Sequence, residues 1–250
     1  MPPTVGSGDI LVGCCGFPIG RDRYWREFPV AEVQLTFYQL PSPDRARRWR
    51  EQAPEGRVLS MKAWQLITHP PSSPTYRRLR DPLAGPRDAY GFFRPTDQVL
   101  RAWDRTLEVA RAMGAPVVVF QCPASFTPTD RHVEDLRGFF GRIDRHGLTL
   151  AWEPRGPWPQ DTVAVLCRDL GLVHCVDPFV GPPATAGPVA YFRLHGVTGY
   201  RYRFTERDLQ TLLDRCAEAR AAGSRPVFAL FNNLSMLEDA RRFLALSAGV

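Results

Sequence analysis

Short runs of β-branched, aliphatic and aromatic residues recur along the chain, and stretches with a helical apolar repeat lie between most of them. The runs at residues 10–13, 33–37, 58–62, 117–121, 148–153, 173–177, 189–195 and 227–232 predict eight strands. Ser42 and Pro43 read as an N-cap and first-turn proline leading into a helix over 44–52. Leu100, Trp103, Leu107, Ala110 and Met113 keep one helical stripe that stops at Gly114. Val133, Leu136, Phe140 and Ile143 form a second, and Val163, Leu166, Cys167 and Leu170 a third that ends at Gly171. Thr205 caps a helix whose Leu209, Leu212, Leu213 and Cys216 share a face, and a last helix runs over 236–246. Strands that alternate with helices predict a parallel sheet, and eight of them predict an α/β fold of the closed (β/α)8, TIM-type kind. The stretch 178–188 is too rich in proline and glycine for a helix, so the sixth and seventh strands should be joined irregularly. No shift in composition divides the chain. One domain is expected over 1–250, with residues 1–8 as a flexible tail.

Composition sharpens this picture in a few places. With 44% hydrophobic and 23% charged residues, the 250-residue chain can bury a full core. No apolar run reaches the roughly 18 to 20 residues needed to span a bilayer, and the first residues do not read as a signal peptide. A cytoplasmic protein with no membrane partner is therefore expected. The six cysteines have no CxxC spacing and read as reduced core thiols, and no metal site is assigned. Net charge is +6, which suits acidic partners. Of the 32 basic residues all but one are arginine, the exception being Lys62. A compact ammonium and a planar guanidinium differ in chemistry, so this one position is a candidate for a role that arginine cannot fill.

Strand alternation gives the candidates a direction, because residues two apart share a face. In the fifth strand Leu148, Leu150 and Trp152 should meet the helices, leaving Glu153 inside. The third strand places Lys62 inward with Ser60, and the seventh places Arg193 and His195 inward with Tyr191. The sixth puts Asp177 with Cys175, and the fourth puts Gln121 with Val117 and Val119. The second groups Gln34, Thr36 and Tyr38. The eighth ends in Asn232 and Asn233, whose facing the alternation leaves open. Polar residues thus collect at the carboxyl ends of the strands, where barrel enzymes keep their sites. Lys62, Glu153, Asp177 and His195 are the candidate catalytic residues. Tyr38, Gln121, Arg155, Arg193, Asn232 and Asn233 are the candidate substrate-binding residues.

The segments GCCGF at 13–17, VQLTFYQLP at 33–41, LSMKAWQLITHP at 59–70, VFQCPASF at 119–126, WEPRGPW at 152–158, YFRLHG at 191–196 and FNN at 231–233 resemble, in order and spacing, the YecE-like family, also called domain of unknown function 72. The resemblance spans nearly the whole chain. It implies a TIM-type barrel and carries no established activity. The family's second-strand motif usually has a glutamate where this chain has Gln34, and its first motif a tryptophan where this chain has Phe17.

Lys62 and Arg193 suit an anionic group, the lysine as a point charge and the arginine by its bidentate fork. Glu153 or Asp177 can serve as base and His195 as acid. A pairing of Glu153 with Lys62 that only closes the barrel is the structural alternative. His69, His195, Glu153 and Asp177 could alternatively hold one hard ion, and the cofactor stays unknown. No P-loop, GxGxxG or nucleophile-elbow motif occurs. Two readings follow. One is an enzyme using acid–base chemistry, hydrolysis included, on a phosphorylated or carboxylated substrate. The other is a non-catalytic protein that binds nucleic acid or an anionic ligand through its basic aromatic loops, residues 69–95 and the GYRYRF run at 199–204.

Overall fold

The computed structural model describes residues 10–248, and the tail expected over 1–8 lies outside the described residues. The eight strands are β1 Ile10–Cys15, β2 Val30–Val33, β3 Val58–Lys62, β4 Val117–Gln121, β5 Thr149–Glu153, β6 Val173–Val176, β7 Ala190–Leu194 and β8 Val227–Phe231. The helices are α1 Arg21–Glu27, α2 Leu35–Tyr38, α3 Pro43–Gln52, α4 Gln65–Thr68, α5 Asp97–Met113, α6 Asp130–Phe140, α7 Gln160–Leu170, α8 Glu206–Ala221 and α9 Met236–Ser247. The strands follow one another in chain order and close into a barrel, the α/β fold that their alternation with helices predicts. By internal contacts the chain falls into two compact units, 1–32 with 53–59 and 173–250, and 33–52 with 60–172.

In the first unit β1 pairs in parallel with β2 and β8, and β7 with β6 and β8. Gly13 lies opposite Val30, and a Cβ there would sit 2.0 Å from the Val30 carbonyl oxygen, so only glycine permits this approach. The buried Tyr24 of α1 joins the same two strands. Its hydroxyl accepts the Cys14 N–H at 2.7 Å and donates to the Val30 carbonyl at 2.7 Å. Phe231 of β8 points outward against Phe204 and Phe243, while Phe228 stacks on Tyr191 on the opposite face. As the proline and glycine content predicts, no helix links β6 to β7. That connection is tied down by the Ala184 N–H donating to His174 Nδ1 and the Gly187 N–H donating to Ser224 Oγ.

In the second unit β4 pairs with β5 over five residues and β3 pairs with β4. Phe120 and Trp152 are direct partners on the outer face. Phe120 packs there with Trp103 of α5 and with Phe139 and Phe140 of α6. Thr96 caps α5, and Gly114 ends it in the left-handed conformation. α3 packs against α5.

Three expectations are corrected. The second strand is Val30–Val33, earlier than 33–37, and the chain then makes the helical turn Leu35–Tyr38. The Thr36 hydroxyl lies 3.0 Å from the Val33 carbonyl oxygen and 2.8 Å from that of Lys62, an arrangement that favours the turn over extended chain. Gln34, Thr36 and Tyr38 therefore do not share a strand face. The helix α1 went unpredicted because only Tyr24 and Trp25 of its seven residues are buried. The third correction is at the end of α6, which stops at Phe140 before reaching Ile143.

Replacing Tyr24 by Phe should cost about 1–3 kcal/mol in urea unfolding followed by circular dichroism, because both backbone groups lose their buried partner. Unchanged stability would show that the bridge between β1 and β2 is dispensable.

Candidate functional site at the strand C termini

In the second unit, Lys62 closes β3 on the inner face with Ser60, and both are buried. Its ammonium donates to Gln121 Oε1 at 2.8 Å and stands 4.0 Å above the Phe37 ring, a cation–π contact. The α2 turn brings Phe37 there, and the ring also meets His69 edge-on at 4.8 Å. Gln121 ends β4 and lies directly opposite Glu153, the last residue of β5. Arg155 donates from Nε and Nη2 to the same Glu153 oxygen, Oε1, at 2.9 and 2.7 Å. Charge-assisted bonds of this kind fix the carboxylate strongly. Glu153 is 7% exposed at its side chain and Arg155 34%, so the pair runs from the interior toward solvent.

His69 follows α4 and is buried, with Nδ1 2.8 Å from the Thr68 hydroxyl. Burial, and then the positive charges of Lys62 and Arg155, hold its imidazole down at about 3. Cys122, one residue past Gln121, accepts the Trp152 indole N–H at 3.2 Å. Burial pushes its thiol well above the usual range, which removes it as a nucleophile at neutral pH.

In the first unit the inward residues form two groups. Arg193 of β7 and Glu32 of β2 pair at 3.1 Å with 1% and 0% side-chain exposure, and the Tyr191 hydroxyl donates to the other Glu32 oxygen at 2.8 Å. Asp177, just past β6, accepts the His195 backbone N–H at 2.8 Å through Oδ2 and the Phe179 N–H at 3.0 Å through Oδ1. His195 Nδ1 lies 3.5 Å from Asp177 Oδ2, within ion-pair distance. Asn232 donates to the Tyr200 hydroxyl at 3.1 Å, and the Tyr200 ring stands edge-on 6.1 Å from that of His195.

The facing that the alternation leaves open at the end of β8 is settled by register. Phe228 faces inward with its partner Tyr191, which puts Asn232 on the inner face and Asn233 on the outer. Asn233 donates to Asp239 and to the Tyr202 carbonyl, both at 2.7 Å, and so ties the chain after β8 to α9 and to the loop before α8. Tyr38 lies in α2, where the Arg78 guanidinium covers its ring. Lys62, Gln121, Glu153 and Arg155 fall together in one unit, and Asp177, Arg193, His195 and Asn232 in the other. Glu32 and Phe37 were not singled out in the sequence, and strand alternation named Tyr191 and Thr36 without giving them a role. For Glu32 the available signal was the alternation of Val30 and Glu32 with Ala31 and Val33 once β2 is placed correctly. Among the described residues no three His, Cys, Asp or Glu side chains form a group able to hold a metal ion.

Eight parallel strands closed in a barrel, with polar and charged side chains at their carboxyl ends, define a TIM-type α/β barrel protein. The family model described as a protein of unknown function, DUF72, matches residues 21–248, and the chain belongs to that family. Among solved structures it is similar to a DUF72 family protein from Enterococcus faecalis, at 17% identity and a TM-score of 0.72 over 97% of this chain and 98% of the other. It is also similar to a DUF72 family protein from Thermotoga maritima, at 18% identity and 0.68 over 95% and 98%. A xylose isomerase domain containing protein from Salmonella typhimurium aligns at 14% identity and 0.60 over 96% and 97%. These likenesses establish the fold. The comparison with curated proteins finds no match. Among the described residues no helix is long and apolar enough to cross a membrane.

The imidazole of His69 should stay neutral throughout pH 5–8, with a midpoint near 3 by NMR. Its folded pKa lies below the unfolded value of about 6.5, so its contribution to stability is complete above about 6.5 and is lost as pH falls toward 3. A His69 midpoint near 6.5 in the folded protein would contradict the arrangement.

Proposed function

We propose that the carboxyl ends of β3, β4 and β5 bind the anionic group of a phosphorylated or carboxylated small molecule, and that the protein is an enzyme performing acid–base chemistry on it. The observation that carries this reading is Lys62. In a chain with arginine at every other basic position, the one ammonium is buried at the end of a barrel strand, hydrogen-bonded to Gln121 and resting on Phe37. A compact ammonium suits a point contact with an anion in a narrow space, where a planar guanidinium does not fit the same way. Arg155 adds a second positive charge from the solvent side. Glu153, oriented by Arg155, is the proton acceptor in this reading, and neutral His69 can donate or accept a hydrogen bond without repelling a cation. Hydrolysis is one reaction that such a carboxylate can serve.

In the other unit the Asp177–His195 pair supports the same class of chemistry on its own terms. A carboxylate within ion-pair distance of Nδ1 orients an imidazole for proton transfer.

Calorimetric titration with inorganic phosphate at low salt tests the binding half. Lys62→Met should weaken binding at least about tenfold, near 1.4 kcal/mol, and Lys62→Arg should fail to restore it. Wild-type affinity in both variants would overturn the role of Lys62. Once a substrate is found by screening phosphorylated and carboxylated compounds, Glu153→Gln should lower turnover by about 10²–10⁴ while leaving binding within about twofold. Full activity in Glu153→Gln would overturn the acid–base assignment.

A further inference from the structure

We infer that a second site, a groove between α2, α3 and the segment after α4, binds single-stranded nucleic acid. The groove is about 370 Å³ in volume. Four arginines, Arg45 of α3 with Arg77, Arg78 and Arg80 of the long segment that precedes α5, line one part of it, and all four are exposed. Its apolar part is built from the half-buried Tyr38, the buried Trp49 and Leu35, the last 50% exposed. Among the described residues no carboxylate lines the groove. The two nearest in sequence are engaged elsewhere, Asp44 by Arg47 and Asp81 by Arg105.

The arrangement is held in place. Gln39 Oε1 accepts the backbone N–H groups of Arg80 and Asp81 at 3.0 and 3.4 Å, which pins the arginine segment to the chain just after α2. A 3-10 turn, Pro74–Arg78, is capped by Ser73 and sets the spacing of Arg77 and Arg78. The Arg78 guanidinium lies 3.7 Å from the Tyr38 ring centroid, and that of Arg45 5.4 Å from the Trp49 ring. Planar cations stacked on aromatic rings keep their donor edges turned toward a ligand.

The mixed lining selects the ligand class. Arginines answer a row of phosphates, and the exposed Leu35 with the guanidinium planes stacked on Tyr38 and Trp49 answers the faces of unpaired bases. Inorganic polyphosphate or an acidic peptide would use only the charges. A duplex keeps its bases inside and would leave the apolar part uncovered. Single-stranded nucleic acid uses both parts, and this groove lies within one compact unit and does not depend on the Lys62 site for its argument.

The test is fluorescence anisotropy with a labelled dodecathymidylate. Neutralising three or four phosphates should give a slope of about −2 to −3 for log affinity against log salt. Arg77→Glu with Arg80→Glu should weaken binding at least tenfold. The control, Arg26→Glu with Arg168→Glu, changes net charge equally at exposed positions on α1 and α7 and should stay within about twofold. Leu35→Ser should weaken the oligonucleotide and leave inorganic polyphosphate unaffected. Equal losses in the two double variants would overturn the site, since net charge alone would then explain binding. Equal affinity for polyphosphate or polyglutamate of matched charge would overturn the nucleic-acid assignment.

Discussion

A carboxylate and a guanidinium closed off from solvent, Glu32 and Arg193, set the terms for the inner faces of the strands. Either charge alone in that interior would carry a penalty of several kcal/mol, so each needs the other, and the Tyr191 hydroxyl donates to Glu32 as well. Since side chains alternate along a strand, a slip of one residue in β2 or β7 would turn one partner outward and strand the other. The pairing therefore constrains register, and the register in turn needs Gly13, whose missing Cβ lets β1 approach Val30. Tyr24 reinforces the same junction from α1.

The same rule operates in the second unit with a different outcome. Lys62, Gln121 and Glu153 occupy inward positions at the ends of β3, β4 and β5, and Arg155 reaches Glu153 from a partly exposed position. His69 sits beside two cations and in a desolvated setting, and both effects keep it neutral. Where Glu32 and Arg193 sit sealed in the interior, the Glu153–Arg155 pair reaches toward solvent. A sealed ion pair stabilises one register. In the proposed reading, the pair that reaches solvent serves a ligand.

Much of this was legible in the sequence. β3 and β4 match their expected limits residue for residue, because each is a clean β-rich run ending in a polar inward residue. The irregular link between β6 and β7 followed from its prolines and glycines. The second strand was misplaced for a physical reason. VQLTF has the β-branched and aromatic content of a strand, yet the Thr36 hydroxyl interacts with main-chain carbonyls and the backbone turns. That error hid Glu32. The inward carboxylate of β2 is present, at Glu32. Sequence pattern could not separate Asn232 from Asn233 either, since their facing depends on the pairing of Phe228 with Tyr191. Tyr38 moved from a strand face to an arginine-lined groove for the same reason that β2 moved. Short-range pattern thus gives the elements, and tertiary hydrogen bonds decide which side chains share a space.

Lys62 is the one lysine in the chain, so protein labelled with 13C-lysine gives a single set of side-chain NMR signals. The account predicts that its ε-carbon resonance shifts saturably on titration with inorganic phosphate and stays still when sodium chloride of equal ionic strength is added. An ε-carbon resonance that ignores phosphate, or follows ionic strength alone, would contradict the claim that this buried ammonium is the anion-binding centre of the protein.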